Sequence, residues 1–299
     1  MKHLLIDHEN LLRRAFHASS TKLPDGTLLV DRNEAGEPIN AIRSYIASLS
    51  NRISEIDPAR VTLVLDRGCK YRKTLLSSYK EQRKPKPEEL IFQQKKLEQI
   101  LSKTGLRIAF VPDEEADDAI ASIVTQNQED EFLILTSDLD MAQLIDKKNH
   151  LIRPNKTTGW EEIKGSTWLD IYGYPPKYRP LFSALKGEIG DNIGGIPGYG
   201  DKRASELCLL GSKELISEAL DDKNPHKGFS ELFKFNLKLT TLRNDFKIHY
   251  LPELVHTQLA NEITENLSNN SNSVIDQIGC KNTARHIRNL QKKTLFDLT

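Results

Sequence analysis

Acidic, glycine and basic residues follow one another closely between Lys186 and Arg203, in the sequence KGEIGDNIGGIPGYGDKR. Glu188 and Asp191 are three residues apart, so at a helix end they would share a face and point at one cation. The glycines that follow let backbone N–H groups approach an anion, and the helix predicted to begin at Asp201 favours negative charge at its start. A surface turn is the simpler alternative. The acids before the turn and the bases after it favour a phosphate site beside a metal site.

Further acids stand where predicted strands end. Short apolar runs end at Asp7 and Asp66, and a later run is followed by Asp138 and Asp140. The sequence EADD at 115–118 opens a predicted helix. Each acid alone is compatible with a helix cap, a turn or a favourable interaction with the helix dipole. Because ligands bind at the carboxyl ends of strands in α/β sheets, we expect these acids to share a pocket.

A pocket with so many carboxylates needs cations. Two like charges 4 Å apart repel by roughly 4 kcal/mol at an effective dielectric near 20. Oxygen ligands without Cys or His select hard cations, Mg²⁺ or Mn²⁺, and two such ions about 4 Å apart are typical of phosphodiester hydrolysis. The candidate ligands are Asp7, Asp66, Glu115, Asp117, Asp118, Asp138, Asp140, Glu188 and Asp191.

Composition limits the classes of protein to consider. The chain has 299 residues, a net charge of zero and 28% charged residues, and no apolar run is long enough for a membrane span or a signal peptide. We therefore expect a cytoplasmic protein, in the host cytoplasm if the source is viral. Three scattered cysteines argue against a disulfide framework or a zinc site. The bases are segregated: residues 67–96 contain ten Lys or Arg and three acids, a local charge of +7.

The elements that would position these residues alternate between strand and helix. Apolar runs predict strands near 3–6, 61–65, 107–111 and 132–135, and helical patterns predict helices at 38–54, 88–103 and 115–126. This alternation predicts an α/β fold with a mostly parallel central sheet and helices on both faces. A hairpin at 151–163 follows, then helices at 167–172, 179–186, 201–209 and 212–220. Signals weaken after Asp221, although Lys281–Lys293 is a basic helix candidate.

The segment GEIGDNIGGIPGYGDKRA resembles the helix–three-turn–helix motif of the 5′-nuclease superfamily, which includes bacteriophage flap endonucleases and the 5′-nuclease domain of bacterial DNA polymerase I. Glu188 stands where that family usually has Asp. The resemblance extends over roughly residues 3–240: LLIDHEN resembles the first acidic motif, EADD is unchanged, and SDLD resembles the T-x-D-x-D motif. It implies a PIN-like fold. In the family's scheme, one metal lies among Asp7, Asp66, Glu115 and Asp117 and a second among Asp140, Glu188 and Asp191, with Asp138 between them.

The basic run contains a second match. Ser78–Lys84, SYKEQRK, resembles the family's Y-K-x-x-R motif, which belongs to a helical arch over the active site. If this segment starts a helix, Lys80, Arg83 and Lys84 share a face. The resemblance implies that Lys80 and Arg83 act in catalysis on the scissile phosphate beside Asp117, and Tyr79 could stack on a base. A solvated loop is the alternative reading, and Arg67, Lys70, Arg72 and Lys73 are equally compatible with phosphate contacts or a surface role.

These expectations combine into one prediction. We expect a stand-alone, monomeric, metal-dependent 5′-3′ exonuclease and flap endonuclease that acts on branched or 5′-ended DNA, with RNA–DNA hybrids as a further substrate, in replication or repair. Its replication partners cannot be named from the sequence. The turn would bind duplex phosphates without reading sequence, and the resemblance implies a K⁺ ion there. The residues expected to bind DNA are Tyr79, Lys80, Arg83, Lys84, Gly195, Gly198, Gly200, Lys202 and Arg203.

Domain bounds and rival functions complete the hypothesis. We predict a nuclease domain at 1–165 with the arch at about 78–104, a helical region at 166–260 and a C-terminal extension at 261–299. One rival is a structure-specific DNA-binding protein of the same fold with weak or lost catalysis. Another is a phosphatase with a D-x-D nucleophile, which needs that motif directly after the first strand, where this chain has Asp7-His8-Glu9. A PIN-type ribonuclease would share the acidic sheet without needing residues 186–203.

Overall fold

The computed structural model describes residues 1–102, 104, 106–157, 159–223 and 227–251. The predicted helix at Lys281–Lys293 and the predicted extension at 261–299 lie outside these residues. The strands are β1 Lys2–Asp7, β2 Thr21–Lys22, β3 Leu28–Leu29, β4 Arg60–Leu65, β5 Arg107–Phe110, β6 Glu131–Leu135, β7 His150–Asn155, β8 Gly159–Ile163 and β9 His249–Leu251. The α-helices are α1 His8–Ser19, α2 Asn40–Ile56, α3 Lys70–Leu75, α4 Glu88–Leu101, α5 Ala116–Gln126, α6 Gly165–Tyr172, α7 Arg179–Lys186, α8 Asp201–Cys208, α9 Lys213–Lys223 and α10 Phe229–Thr240.

The chain divides into two compact units that interleave in sequence. Among the described residues, the first unit comprises Met1–Leu65, Pro85–Phe110 and residues 249–251, and the second comprises Asp66–Lys84 and Val111–Ile248. The domain bounds predicted above stay predictions.

In the first unit, β4 pairs in parallel with both β1 and β5, and β9 pairs antiparallel with β5. The residues of β1 explain its place in the core, because Leu4, Leu5 and Ile6 are completely buried. Helix α2 presents the predicted face of Ile42, Ile46, Leu49 and Ile53 to this core, and α1 and α4 pack with it. A short antiparallel pair, β2 with β3, lies in the same unit.

In the second unit, β6 and β7 are parallel and β8 is antiparallel to β7, as the predicted hairpin requires. The helices of this unit form a packed group in which α7 contacts both α8 and α10, and α9 contacts α10. Helix α7 begins with Pro180 in its first turn, where a missing N–H costs little. The helix pair α7 and α8 with the turns between them matches the predicted helix–three-turn–helix arrangement.

Two features differ from the sequence predictions. Residues 77–83 form turns and a bend and do not start a helix, because Lys80 has a left-handed backbone with φ of 59°. Helix α10 was missed because Phe233, Phe235, Leu237 and Leu239 alternate with polar residues, a pattern typical of a strand. Within the described residues, every helix is too short or too polar to span a bilayer.

Candidate active site

Eight of the nine candidate acids belong to the second unit, and the ends of strands and the starts of helices position them. Asp66 directly follows β4, Glu115 stands at the N-cap position of α5 without a side-chain capping bond, and Asp138 caps a short 3-10 helix, Leu139–Leu144, that follows β6. Asp66 is exposed and accepts a hydrogen bond from the Gly68 N–H at 3.1 Å. These acids therefore have local roles in turns and caps that are compatible with a further role as ligands.

Asp7 is the acid of the first unit. It is buried at the end of β1, and its carboxylate accepts a hydrogen bond from the Asn10 N–H at 3.1 Å, which caps α1. The neighbouring His8 is also buried, and its Nδ1 lies 2.9 Å from the Tyr45 hydroxyl. The side chains around Asp7 are thus ordered by the turn from the predicted strand into α1, a helix that was not predicted from the sequence.

Glu115 lies at the centre of the first cluster of charges. The Arg72 guanidinium donates to one carboxylate oxygen at 2.7 Å, and the Tyr79 hydroxyl, which shares its one proton with Asp191, lies 3.2 Å from the same oxygen. Lys80 Nζ forms an ion pair with the other oxygen. Glu115 is 3% exposed, so these three donors offset the cost of burying its charge.

Asp191 lies in the same cluster and binds the basic segment. Its carboxylate accepts from the Tyr79 hydroxyl at 2.9 Å, pairs with the Arg83 guanidinium, and lies 3.9 Å from Lys80 Nζ. The Asp191 carbonyl also accepts from the Lys80 N–H at 3.2 Å. Burial alone would lower the pKa of Lys80, but Glu115, Asp191 and Asp117 outweigh that effect and raise it, so Lys80 is positively charged.

The second cluster contains Asp138, Asp140, Glu188 and Arg179. Arg179 Nε donates to Asp140 Oδ1 at 2.9 Å, and Nη2 lies 3.6 Å from Glu188 Oε1. Burial raises the pKa of Asp140 to about 6, and repulsion from Glu188 adds to this, whereas Arg179 opposes it. Burial and the charge of Asp140 also raise the pKa of Asp138. Glu188 and Asp191 therefore have different basic partners in the structure, and their sharing of one cation stays a prediction.

The chemistry of these acids fits hard divalent cations. Glu188 Oε1 is buried without a hydrogen-bond partner, and Asp140 and Glu188 repel each other strongly enough to raise a pKa. A cation near them would relieve both penalties. Among the described residues, however, no three His, Cys, Asp or Glu side chains form a ready ligand set, because arginine and lysine side chains lie between the acids.

Three residues have surroundings that the sequence did not predict. Asp118 is fully buried and both of its oxygens are used: the Arg72 guanidinium donates to them at 2.5 and 3.0 Å, and the Arg243 N–H donates to one at 2.9 Å. It is a buried counter-ion of Arg72, and its role as a metal ligand stays a prediction. Arg72 is 3% exposed, so it neither contacts phosphate nor lies on the surface. Tyr79 is packed against Ile193 and Leu239, which leaves no ring face for a base.

The turn between α7 and α8 is held by close backbone contacts. The Ile196 N–H donates to the Leu185 carbonyl at 2.7 Å, and the Asn236 side chain donates to the carbonyls of Ala184 and Gly194 at 2.9 and 2.7 Å. Gly198 has φ of 87°, which favours glycine. These bonds fix the backbone of the turn at Gly194 and Ile196, whereas Gly198 is exposed.

Most of the predicted DNA-binding residues around this turn are exposed to solvent. Lys202 and Arg203 are exposed in the first turn of α8, and Arg203 Nη1 donates to the Gly198 carbonyl at 3.2 Å. Gly198 and Gly200 are exposed, whereas Gly195 is half-buried. Lys84 is likewise exposed, and the roles of all these residues in DNA binding stay predictions.

Gly195 provides a sharp test of the turn. A Cβ at this position would lie 2.0 Å from the Lys186 carbonyl oxygen, so Gly195→Ala must push the backbone of α7 away from the turn. We expect a loss of about 1–3 kcal/mol in the free energy of unfolding, measured in urea. Gly194→Ala is the matched control, because a Cβ there meets nothing within 4 Å. Equal stability of the two variants would contradict this packing.

Arg179 is a site residue that sequence reasoning missed. A positive charge in the first turn of a helix is unfavourable because the helix dipole is positive there, so a partner acid was to be expected. That signal was present in the sequence, but it could not identify Asp140, which is 39 residues away. Asn192 was also missed: its left-handed backbone follows Asp191, and its side chain donates to the Ser78 carbonyl at 3.0 Å. This bond holds the segment Ser78–Lys84 beside the turn that contains Glu188 and Asp191.

Comparison with known proteins identifies the family. Residues 2–171 match the family model described as 5′-3′ exonuclease, N-terminal resolvase-like domain. A 5′-3′ exonuclease of Halalkalibacterium halodurans is 32% identical over 229 residues, which is 74% of each chain. The thermostable DNA polymerase I of Thermus aquaticus is 30% identical over 225 residues, 74% of this chain, and the match spans only 26% of that polymerase.

Solved structures confirm the fold. A bacteriophage T5 5′-exonuclease with bound zinc superposes with a TM-score of 0.65 at 18% identity, covering 98% of this chain and all of that one. A T5 flap endonuclease in a complex with DNA and metal ions superposes with a TM-score of 0.62 at 19% identity, again over 98% and 100% of the chains. The predicted α/β class with mostly parallel strands is thereby confirmed. Taken with the family model and the exonuclease relative, the motifs place the chain in the 5′-3′ exonuclease family.

Proposed function

We propose that this chain hydrolyses phosphodiester bonds of DNA at free 5′ ends and at the junctions of 5′ flaps, with divalent metal ions as cofactors. One observation carries the proposal: Lys80 and Arg83 are held directly against Glu115 and Asp191. Such an arrangement brings phosphate-binding cations to the acids that would hold the metal. Membership of the 5′-3′ exonuclease family and the superposition on a T5 complex with DNA and metal ions support it.

The divalent ions are Mg²⁺ or Mn²⁺ in this proposal. When bound, two such ions supply an activated water and stabilise the leaving oxygen. The side chains of the second unit that would hold them are Asp66, Glu115, Asp117, Asp118, Asp138, Asp140, Glu188 and Asp191, and the role of Asp7 stays a prediction. Asp117 is half-buried in the first turn of α5, next to Glu115. The deep burial of Glu115 excludes water from its carboxylate and strengthens its interactions with cations.

The basic side chains have two tasks. Lys80 and Arg83 would exchange part of their contacts with the acids for contacts with the scissile phosphate and stabilise the charge that develops on it. The exposed Lys84, Lys202 and Arg203 would bind phosphates of the DNA away from the cut. Since phosphate contacts carry no sequence information, we expect recognition of the structure of the DNA and not of its sequence.

Finer properties belong to the same proposal. A K⁺ ion would bind backbone carbonyls of the turn between α7 and α8, RNA–DNA hybrids would be cut as well as DNA, and the protein would act as a monomer. The Asn236 side chain donates to the carbonyls of Ala184 in α7 and Gly194 in the turn, so these two carbonyls lie near one point. Thermal melting in KCl against NaCl would test the ion.

Cleavage of a flap substrate labelled at its 5′ end tests the main proposal. We expect cutting near the junction in Mg²⁺ and none in EDTA, and a 3′ flap of the same sequence should stay intact. Tight binding of the 5′ flap without cutting in either Mg²⁺ or Mn²⁺ would instead support the rival DNA-binding protein. Equal cutting of both flaps would contradict recognition of the 5′ strand.

A further inference from the structure

Arg179 lies between two acids that the proposed function assigns to a metal ion. Its Nε donates to Asp140 Oδ1 at 2.9 Å, and its Nη2 lies 3.6 Å from Glu188 Oε1. All three side chains are largely buried, with exposed fractions of 14% for Arg179, 20% for Asp140 and 19% for Glu188. The guanidinium is therefore a fixed part of this site and not a mobile surface charge.

Two effects make a positive charge at Arg179 unfavourable in free energy. It opens α7, where the positive end of the helix dipole disfavours a cation, and burial penalises its charge. Asp140 and Glu188 offset these costs and raise the pKa of Arg179 above its usual value. Unlike a lysine, an arginine keeps its charge in such a site, so the two acids have a permanent counter-ion.

A divalent ion at the same acids would have to compete with this counter-ion. The ion would have to share the Asp140 oxygen with Arg179 or displace Arg179 from it. The guanidinium would also repel the ion, because the two positive charges would lie a few ångströms apart at a site with little water. The Glu188 oxygen without a hydrogen bond shows that Arg179 satisfies the pair only in part. An ion can therefore bind there, but against a built-in competitor.

We propose that Arg179 is a positioning residue that weakens divalent-ion binding at Asp140 and Glu188, so that this ion binds less tightly than it would to the acids alone. The inference rests on the proposed two-ion function. Because Arg179 weakens binding, a higher concentration of Mg²⁺ or Mn²⁺ is needed to fill the site at Asp140 and Glu188. The Asp140–Glu188 site would then fill last as the ion concentration rises.

Calorimetric titration with Mn²⁺, without DNA, tests this. In Arg179→Gln we expect the weaker of the two dissociation constants to fall by about tenfold or more, because one positive charge next to the ion is removed. Arg179→Lys should give constants between those of the wild type and Arg179→Gln, because a lysine can carry a charge here but loses it on burial more readily than an arginine. Arg153→Gln is the control: Arg153 pairs with Glu161 and Tyr172 and should leave both constants unchanged. In the double variant Arg179→Gln/Asp140→Asn, the tighter Mn²⁺ binding seen in Arg179→Gln should disappear. That result would assign the tighter binding to the site at Asp140.

Thermal melting gives a second readout. Without Arg179, Asp140 and Glu188 repel each other with no counter-ion, so Arg179→Gln should melt lower in EDTA and gain more from Mn²⁺ than the wild type. Unchanged or weaker Mn²⁺ binding, or no greater gain in melting temperature, overturns the inference. If the wild type cuts flap DNA and Arg179→Gln has wild-type constants, this inference alone fails. If the wild type binds no Mn²⁺, the metal part of the proposed function fails with it.

Discussion

Replacing Lys80 with alanine is expected to lower kcat on a 5′ flap by about 10²–10³-fold, with a much smaller change in KM. The estimate is the usual cost of removing one donor that stabilises charge in a transition state. A loss of this kind appears in kcat because the contact with the phosphate strengthens as the reaction proceeds. Single-turnover cleavage with saturating enzyme measures it directly.

The structure explains why a neighbouring base cannot replace Lys80. The buried ring of Tyr79 anchors the turn among Ile193 and Leu239, and its hydroxyl bonds both Glu115 and Asp191. The next residue is thereby forced into a left-handed backbone with φ of 59°, and its ammonium points at the same two acids. Lys80 is half-buried and fixed at its backbone, whereas Lys84 is exposed.

Lys84→Ala is therefore the matched control. We expect it to reduce affinity for flap DNA and the dependence of that affinity on salt, and to leave the single-turnover rate at saturation nearly unchanged. If Lys80→Ala and Lys84→Ala have the same effect, on affinity alone, Lys80 belongs to a general electrostatic surface and has no part in the chemistry.

The positions of the acids could be predicted from the sequence, whereas their pairing with particular cations could not. The acids and the elements that present them were predictable, because strand ends and helix starts are local features: β1 ends at Asp7, β4 precedes Asp66, and Glu115 opens α5 as expected. Which cation pairs with which acid was not predictable. Arg179 contacts Asp140 across 39 residues of chain, and Tyr79 contacts Asp191 across 112, and no local pattern encodes such distances.

The basic run illustrates the same limit. Residues 67–96 have a net charge of +7 in the sequence. In the structure, their bases differ in burial: Arg72 is buried, Lys80 is half-buried and Lys84 is exposed. Composition gives the charge of a segment and not its burial. Burial decides the function here, since only a buried base can be a counter-ion within the core.

Replacing Arg72 with methionine is expected to lower the free energy of unfolding by about 3–5 kcal/mol, the usual cost of removing one partner of a buried ion pair. Arg72 bonds Glu115 and Asp118, whose side chains are 3% and 0% exposed, and its Nε donates to the Leu239 carbonyl at 2.9 Å. Without Arg72, the Arg243 N–H is the one remaining hydrogen-bond donor to the buried Asp118 carboxylate in the described part of the chain. Urea unfolding measures the loss, and Arg13→Met, which breaks a partly exposed pair with Glu9, should cost less than about 1 kcal/mol.

A double variant tests whether the buried charge is the cause. In Arg72→Met/Asp118→Leu the unpaired carboxylate is gone and apolar groups fill similar volumes, so part of the stability lost in Arg72→Met should return. The two substitutions should therefore cost less together than the sum of their separate effects. Glu115 would still have Tyr79 and Lys80 as donors, so its charge stays compensated in both variants. Strictly additive costs would mean that packing, and not the Arg72–Asp118 ion pair, holds α3 against the start of α5.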